Sequence, residues 1–296
     1  MSRILAFVRL SRPLFLYGGV AGVALGAAVA RSEGLRLDVA TYAWAQALVT
    51  SFQLMVHYAN DYFDLACDEQ ATRTTWSGGS GVLTARILPP RVALVAALVC
   101  AAAGLGVTAR FALAGNATVA WLGLAIGVLA WCYSAPPVRF ASRGLGELDA
   151  ALVVAILVPL TGYAAFANRI GEPMNGPMAC AAAAMFAMML CVELPDAGAD
   201  HAAGKRNLVV RWGPSRAWLV IAIAALVAVA HAFAYAFRAE AGPRVLALVP
   251  AAFAALQLVG LGRGDPRPAS FALWGVALYA LTVTGLAVIF ATIAPR

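Results

Sequence analysis

Two short runs of carboxylates carry the chemistry of this sequence. The first reads His57-Tyr58-Ala59-Asn60-Asp61-Tyr62-Phe63-Asp64-Leu65-Ala66-Cys67-Asp68. On a continuous helix Asp61, Asp64 and Asp68 fall at i, i+3 and i+7, so three carboxylates share one face. Asn60 lies about 100° from Asp61 and can add an amide oxygen. The second run is Glu193-Leu194-Pro195-Asp196-Ala197-Gly198-Ala199-Asp200, with Asp196 and Asp200 at i, i+4 and a proline placed to aim them. Like charges this close repel one another and raise each other's pKa. A bound cation relieves that cost. The donors are carboxylate oxygens without a His or Cys set, which suits a hard ion. Mg²⁺ fits best, because it takes one or two carboxylates and completes its shell with water and phosphate oxygens. The plain alternative is that each run is a solvated helix end.

A basic, glycine-containing loop follows each run. The first is Arg73-Thr74-Thr75-Trp76-Ser77-Gly78-Gly79-Ser80-Gly81, and the second extends from Gly204-Lys205-Arg206 to Gly213. Lys205 is the single lysine of the chain. Carboxylates for a metal ion together with Lys and Arg donors make a diphosphate clamp that neutralises charge building on a leaving group. Arginine presents a planar fork to phosphate and lysine a compact charge. The 77–81 run can present backbone N–H groups or form a lid, and a plain connector is an equal reading. Lys205 and Arg206 also read as topological anchors, and Arg91, Arg211 and Arg216 are better read that way.

The elements that must hold these groups are apolar. Of 296 residues 62% are hydrophobic and 12% charged, with a mean hydropathy of +0.82. A soluble domain has about 45–50% apolar and about 25% charged residues. Spans of roughly 20 apolar residues cross a bilayer, and nine segments qualify: 14–31, 41–62, 91–109, 117–135, 147–167, 177–195, 217–237, 244–261 and 270–293. Prolines cluster at their boundaries, while Pro159 and Pro250 lie inside spans and predict kinks. Arg3 and Arg9 before the first apolar run resemble a signal peptide, but more spans follow and the run reads as a retained first span. Fourteen of the 21 basic residues fall on the side of the N-terminus and the loops after spans 2, 4, 6 and 8, which positive-inside logic assigns to the cytoplasm. Ten of the 14 acidic residues lie there too, beyond what topology requires.

The five cysteines show no metal-ligand spacing and read as reduced apolar residues. The net charge of +7 is spread over short loops, without the basic stripe that binds nucleic acid. No obligate protein partner is evident; the lipid bilayer is the expected surrounding.

The stretches Asn60-Asp61-x-x-Asp64-x-x-x-Asp68 and Asp196-x-x-x-Asp200 before Gly204-Lys205-Arg206 resemble the paired signatures of the UbiA-type intramembrane prenyltransferase superfamily. Asn-Asp-Tyr-Phe-Asp at 60–64, Tyr133-Ser134-Ala135-Pro136-Pro137-Val138-Arg139, Arg143-Gly144-Leu145-Gly146-Glu147 and 204–213 look most like its 1,4-dihydroxy-2-naphthoate (menaquinone-type) branch. The resemblance implies one all-α domain over residues 1–296, a bundle of nine transmembrane helices around a central cavity open to lipid. It implies Mg²⁺ held by Asp61, Asp64, Asp68, Asp196 and Asp200 with Asn60, and a prenyl diphosphate contacted by Arg73, Lys205 and Arg206. Tyr133 and Arg139 match positions near a small aromatic acceptor. Where many relatives carry an amide before the second motif, this chain has Glu193. The expected protein is a multi-pass enzyme of the inner membrane, its N-terminus and active site facing the cytoplasm.

Rival readings remain. Intramembrane carboxylates and similar halves also mark ion-coupled transporters, although these place charge near the midplane. A phosphatidyltransferase using CDP-alcohols needs an Asp-Gly where this chain has Asp64-Leu65. A terpene cyclase or a prenyltransferase of the same superfamily with another acceptor is open. His57, one turn before Asp61, is placed to tune the site or to be hydrogen-bonded in its span; His201 and His231 read as solvated and structural.

Overall fold

The computed structural model describes residues 2–70, 73, 78–238 and 268–293, and among these every regular element is helical. A short helix α1 (Arg3–Leu10) precedes α2 (Pro13–Ser32) and α3 (Val39–Phe63). After the brief α4 (Leu65–Asp68) come α5 (Pro90–Leu113), α6 (Ala117–Ser134) and α7 (Gly146–Leu152). Then follow α8 (Val158–Ala167), α9 (Asn175–Glu193), α10 (Ala197–Ala202), α11 (Leu208–Trp212), α12 (Pro214–Arg238) and α13 (Pro268–Thr292). The starts follow from local chemistry. Asp38 and Asn116 cap α3 and α6 by accepting from Thr41 N (2.8 Å) and Val119 N (3.0 Å). Proline occupies the first helical position of α2 and α5, where no N–H is required.

Eight of the nine expected spans fall on these helices, and 244–261 lies outside the described residues. Among the described residues seven helical stretches are long and apolar enough to cross a membrane. The second span, α3, is not among them, because Gln46, Gln53, His57, Asn60 and Asp61 dilute its hydropathy. Large apolar side chains such as Val99, Trp121 and Val128 are 62%, 72% and 62% exposed on α5 and α6. Water would not tolerate that surface, so it faces lipid, and the chain is a multi-pass membrane protein.

The bundle packs α2 on α8, α3 on α5, and α9 on both α12 and α13, with α13 returning to α2. Small residues allow the closest approach. A Cβ on Gly26 would lie 1.9 Å from Pro159 O, and one on Gly162 would lie 2.4 Å from Val23 O, so α2 and α8 meet backbone to backbone as tight membrane helix pairs do. The kink expected at Pro159 takes a specific form. Proline has no N–H for the carbonyl four residues back, and the preceding turn widens into a π-helix over Val153–Leu157.

Two local expectations change. The helix carrying the first aspartates does not continue: α3 ends at Phe63, and Asp64 (φ −96°, ψ 3°) breaks it before α4. Asp64 N still donates to Asn60 O at 2.9 Å and Asp68 N to Asp64 O at 2.9 Å, so the three carboxylates keep one side despite the break. Pro195 falls in a 3₁₀ turn, Leu194–Asp196, which ends the sixth span and redirects the chain into α10.

Candidate active site

The two carboxylate runs, more than 120 residues apart in sequence, converge. Lys205 Nζ lies 3.2 Å from Asp64 Oδ2 and 3.5 Å from Asp200 Oδ1, joining the end of α3 to α10. Cys67 Sγ donates to Asp200 Oδ1 at 3.4 Å across the same gap. Asn207, the N-cap of α11, donates from Nδ2 to Asp200 Oδ2 at 2.7 Å. Asp61, Asp64 and Asp200 are 3%, 4% and 6% exposed, so these are buried charges held by partners and not solvated helix ends.

Arg12 forms the other half of the cluster. Its Nη2 makes a short ion pair with Asp61 Oδ1 and donates to Asn60 Oδ1 at 3.0 Å. Asn60 Nδ2 then donates to Asp64 Oδ2 at 2.9 Å and to Ser134 Oγ at 3.0 Å, so one amide links Arg12, Asp64 and α6. Ser80 donates to Asp61 Oδ2 from its backbone N at 3.2 Å and, more closely, from its hydroxyl, while its carbonyl accepts from Arg9 Nε at 3.0 Å. Ser80 therefore does present an N–H to an anion, but that anion is Asp61. Arg139 Nη2 approaches Asp64 Oδ1 at 3.8 Å. Arg12 and Arg139 both hold left-handed backbones (φ 47° and 50°). Such strained conformations in non-glycine residues gather where side chains are aimed at a function.

The electrostatics follow the geometry. Burial pushes the Asp68 carboxyl up; Arg12 opposes this and Asp64 and Asp61 add to it, leaving it at about 7. Burial works against the charge of Lys205, but Asp64 and Asp200 outweigh it and its pKa is raised. Arg12 behaves likewise: burial is offset by Asp61, Asp68 and Asp64, and the result is upward. Arg73 is lowered, first by burial and then by Arg9 and Arg12, so a third arginine stands on the same electropositive lip. Gly79 (φ +67°) lies so close to Asp68 that a Cβ there would sit 2.2 Å from Oδ2. Only glycine accepts both that backbone and that contact.

The remaining expected residues are placed unevenly. Arg73 is exposed and donates from Nε to Gly79 O at 3.3 Å. Asp196 is half-buried at the start of α10, one turn before Asp200. Arg206 is exposed, and its backbone N bonds Ser142 O at 3.0 Å, so it stands outside the buried cluster. Glu193 pairs with Glu147, which is fully buried and accepts from Leu208 N. His57 Nδ1 bonds Ser11 O at 2.9 Å, while His201 is exposed and His231 bonds Val227 O at 2.9 Å within its own helix. Arg12 went unrecognised in the sequence because an arginine before the first span looks the same as a membrane anchor. Its one signal is the Arg12-Pro13 step.

A cavity of about 230 Å³ opens beside the cluster. Arg12 and Asn60 stand at its charged end, and Tyr17, Val56, Val153, Met185, Met188 and Tyr279 make apolar walls. Gln53, His57, Tyr133 and Asp149 are its other polar lining residues. Among the described residues no three His, Cys, Asp or Glu side chains are close enough to enclose a metal unaided. The donor set nevertheless fits a hard ion that retains water and phosphate ligands, since the buried Asp64 Oδ1 has no hydrogen-bond partner.

The sequence profile of the UbiA prenyltransferase family matches residues 19–279. The chain belongs to this family. No curated protein matches it. Among solved structures it is similar to a UbiA homologue from Archaeoglobus fulgidus bound to GPP and Mg²⁺, with a TM-score of 0.69, 17% identity and coverage of 96% of this chain and 99% of that one. A UbiA homologue from Aeropyrum pernix K1 gives 0.70 at 18% identity, covering 92% and 96%. A digeranylgeranylglyceryl phosphate synthase gives 0.64 at 14%, covering 99% of both chains. At such identities the likeness establishes a shared fold. The UbiA fold thus agrees with the all-helical membrane bundle expected from the motifs.

Proposed function

We propose that this UbiA-family chain transfers an isoprenyl group from a prenyl diphosphate to an aromatic acceptor of the 1,4-dihydroxy-2-naphthoate type, as in menaquinone-type quinone biosynthesis. The observation that carries the reading is the bridge from Asp64 through Lys205 to Asp200, which joins the two acidic motifs, while Asn60 and Arg12, bonded to Asp64 and Asp61, line the charged end of one apolar cavity. Structural neighbours bind GPP or DMAPP with Mg²⁺ at that fold, and the donor set here suits the same ion. Asp61, Asp64, Asp68, Asp196 and Asp200 would hold Mg²⁺, which when bound stabilises charge on the diphosphate.

The chain's own residues account for the rest. Arg12 lines the charged end of the cavity, and with Lys205 and Arg73 beside it would favour the electron pair moving onto the diphosphate as the C1–O bond breaks. The apolar walls keep water from the allylic cation left behind. The electron-rich ring forms the new C–C bond at C1 and then loses a proton or its carboxyl group. A tail as apolar as lipid suits the cavity's apolar walls. The positive-inside count supports an inner-membrane enzyme whose N-terminus and site face the cytoplasm.

The test is a product assay. Membranes containing the protein are given prenyl diphosphates of several lengths and a panel of aromatic acceptors, with and without Mg²⁺, and products are read by mass spectrometry. A Mg²⁺-dependent prenylated naphthoate is expected. Counterflow of a labelled solute in liposomes without a covalent product would overturn the proposal in favour of a transporter.

A further inference from the structure

Asp149 is the carboxyl among the cavity's lining residues and the clamp leaves it unused; Gln53 Oε1 is the cavity's other buried acceptor without a hydrogen-bond partner. Asp149 lies in the first turns of α7, is 8% exposed, and its Oδ1 is buried without a hydrogen-bond partner. Asp149, Ala150, Val153 and Val154 together line one wall. These positions fall at i, i+1, i+4 and i+5, so they share one face of the helix. Tyr279, on the facing helix α13, lines the same cavity and donates its hydroxyl to Val154 O at 3.4 Å, so that donor is directed to the backbone. Tyr133 lies near enough to interact with Asp149 electrostatically.

A carboxyl group in a membrane span with an empty acceptor oxygen is costly unless something donates to it. The isoprenyl tail has no donor. A diphosphate offers negative oxygens and is repelled. The third participant in the proposed reaction is an electron-rich ring, and its hydroxyl is a donor of the right kind.

We infer that Asp149 accepts a hydrogen bond from the hydroxyl group of the aromatic acceptor and so sets its position against the prenyl donor. This rests on the proposed prenyl transfer for the identity of the ring. Oδ1 serves as acceptor whether the carboxyl is ionised or carries its proton on Oδ2. The acceptor ring then lies between Asp149 and the charged end of the cavity, with its recognition separate from that of the diphosphate.

The experiment uses the full chain in detergent or nanodiscs and reads binding, not turnover. Calorimetry compares 1-naphthol with 1-methoxynaphthalene, which keeps the ring and loses the donor. The unsubstituted protein should prefer 1-naphthol by about tenfold to a hundredfold, the span expected for a hydrogen bond to a charged or well-buried acceptor. Asp149→Leu should bring the two ligands to near parity while Mg²⁺-dependent binding of geranyl diphosphate is unchanged. Replacing an unpartnered buried carboxyl by an apolar side chain should not impair folding. Equal binding of the two ligands by the unsubstituted protein overturns the inference without recourse to any variant, as does a preference that survives Asp149→Leu. Failure of the unsubstituted protein to bind geranyl diphosphate with Mg²⁺ would refute prenyl transfer instead, and would leave the hydroxyl preference standing as a property of the cavity.

Discussion

Lys205→Met removes the bridge between the two acidic motifs, and its effect can be worked from the distances. The side chains involved are 15%, 5% and 9% exposed for Lys205, Asp64 and Asp200, so solvent screens them weakly. At an effective dielectric of about 20, separations of 3.2 and 3.5 Å correspond to roughly 5 kcal/mol of attraction each. Desolvation of the ammonium offsets much of this. Removing one partner from a buried pair costs about 3–5 kcal/mol in practice, because the carboxylates left behind stay buried and now repel. The variant should therefore melt well below the parent in metal-free buffer. Added Mg²⁺ should close most of that gap, since the freed carboxylates are the proposed ligands of the ion. Turnover should still fall by about 10²–10³, the usual loss when one donor to a developing anion is deleted. Lys205→Arg keeps the charge and should recover the melting temperature before it recovers activity. Thermal unfolding in detergent across a Mg²⁺ series, alongside steady-state turnover, measures both effects. A Lys205→Met protein that melts like the parent without metal, or turns over at the parental rate, refutes the clamp.

Other consequences follow from the same geometry. Asp61→Ala or Asp196→Ala should lower Mg²⁺-dependent turnover by about 10²–10³, checked by product formation at saturating donor. Arg12→Ala leaves Asp61 and Asn60 Oδ1 without their cation and should weaken geranyl diphosphate binding and stability together, by about 3–5 kcal/mol in stability. Gly79→Ala forces a Cβ against Asp68 at a left-handed backbone and should cost about 1–2 kcal/mol from the backbone alone, seen as a lower melting temperature and weaker Mg²⁺ binding. The raised pKa of Asp68 has a defined sign. Its neutral form is favoured in the folded protein, so its contribution to stability is complete below the ordinary carboxylate value and is lost as pH rises through about 7. Mg²⁺ competes with that proton, so ion affinity should rise by about tenfold between pH 6 and 8, and Asp68→Asn should flatten the rise in a calorimetric titration.

What could be read from the sequence divides by range. The helices were legible because each span is a local composition, and two of their starts because Pro13 and Pro90 act within one turn; the caps Asp38 and Asn116 came only with the structure. The acidic motifs were legible because carboxylates at helical spacing near apolar runs need a reason. The break at Asp64 was not legible, because nothing in Phe63-Asp64-Leu65 forbids a helix. Arg12 was hidden by distance: its partner lies 49 residues away, and a topological arginine has the same neighbours. Asp149 was hidden differently. A carboxylate at the start of a span, outside both acidic runs, forms no metal-binding pattern, and only the cavity beside it gives it meaning. Arg206 had the pattern of a ligand, but the turn at Gly204 (φ +76°) precedes two adjacent cations that diverge, with Lys205 inward and Arg206 outward.

The charge count of the cluster leads to metal dependence without appeal to relatives. Asp61, Asp64, Asp68 and Asp200 stand against Arg12, Lys205 and Arg139, four carboxylates to three cations. Each of those cations already faces a carboxylate, so none is idle. A diphosphate ester brings further negative charge. If it recruits Arg12 or Lys205, it uncovers Asp61, Asp64 or Asp200 in a site that burial has made intolerant of bare charge. Exchange of partners at these three cations therefore cannot accommodate the diphosphate, because each of them given to phosphate strands a carboxylate. A divalent ion resolves this, since it covers the stranded carboxylates and the phosphate oxygens at once. It follows that donor and Mg²⁺ should bind with positive coupling, each tightening the other by the same factor. Equal geranyl diphosphate affinity with and without Mg²⁺ would show that the aspartates serve some purpose other than the clamp.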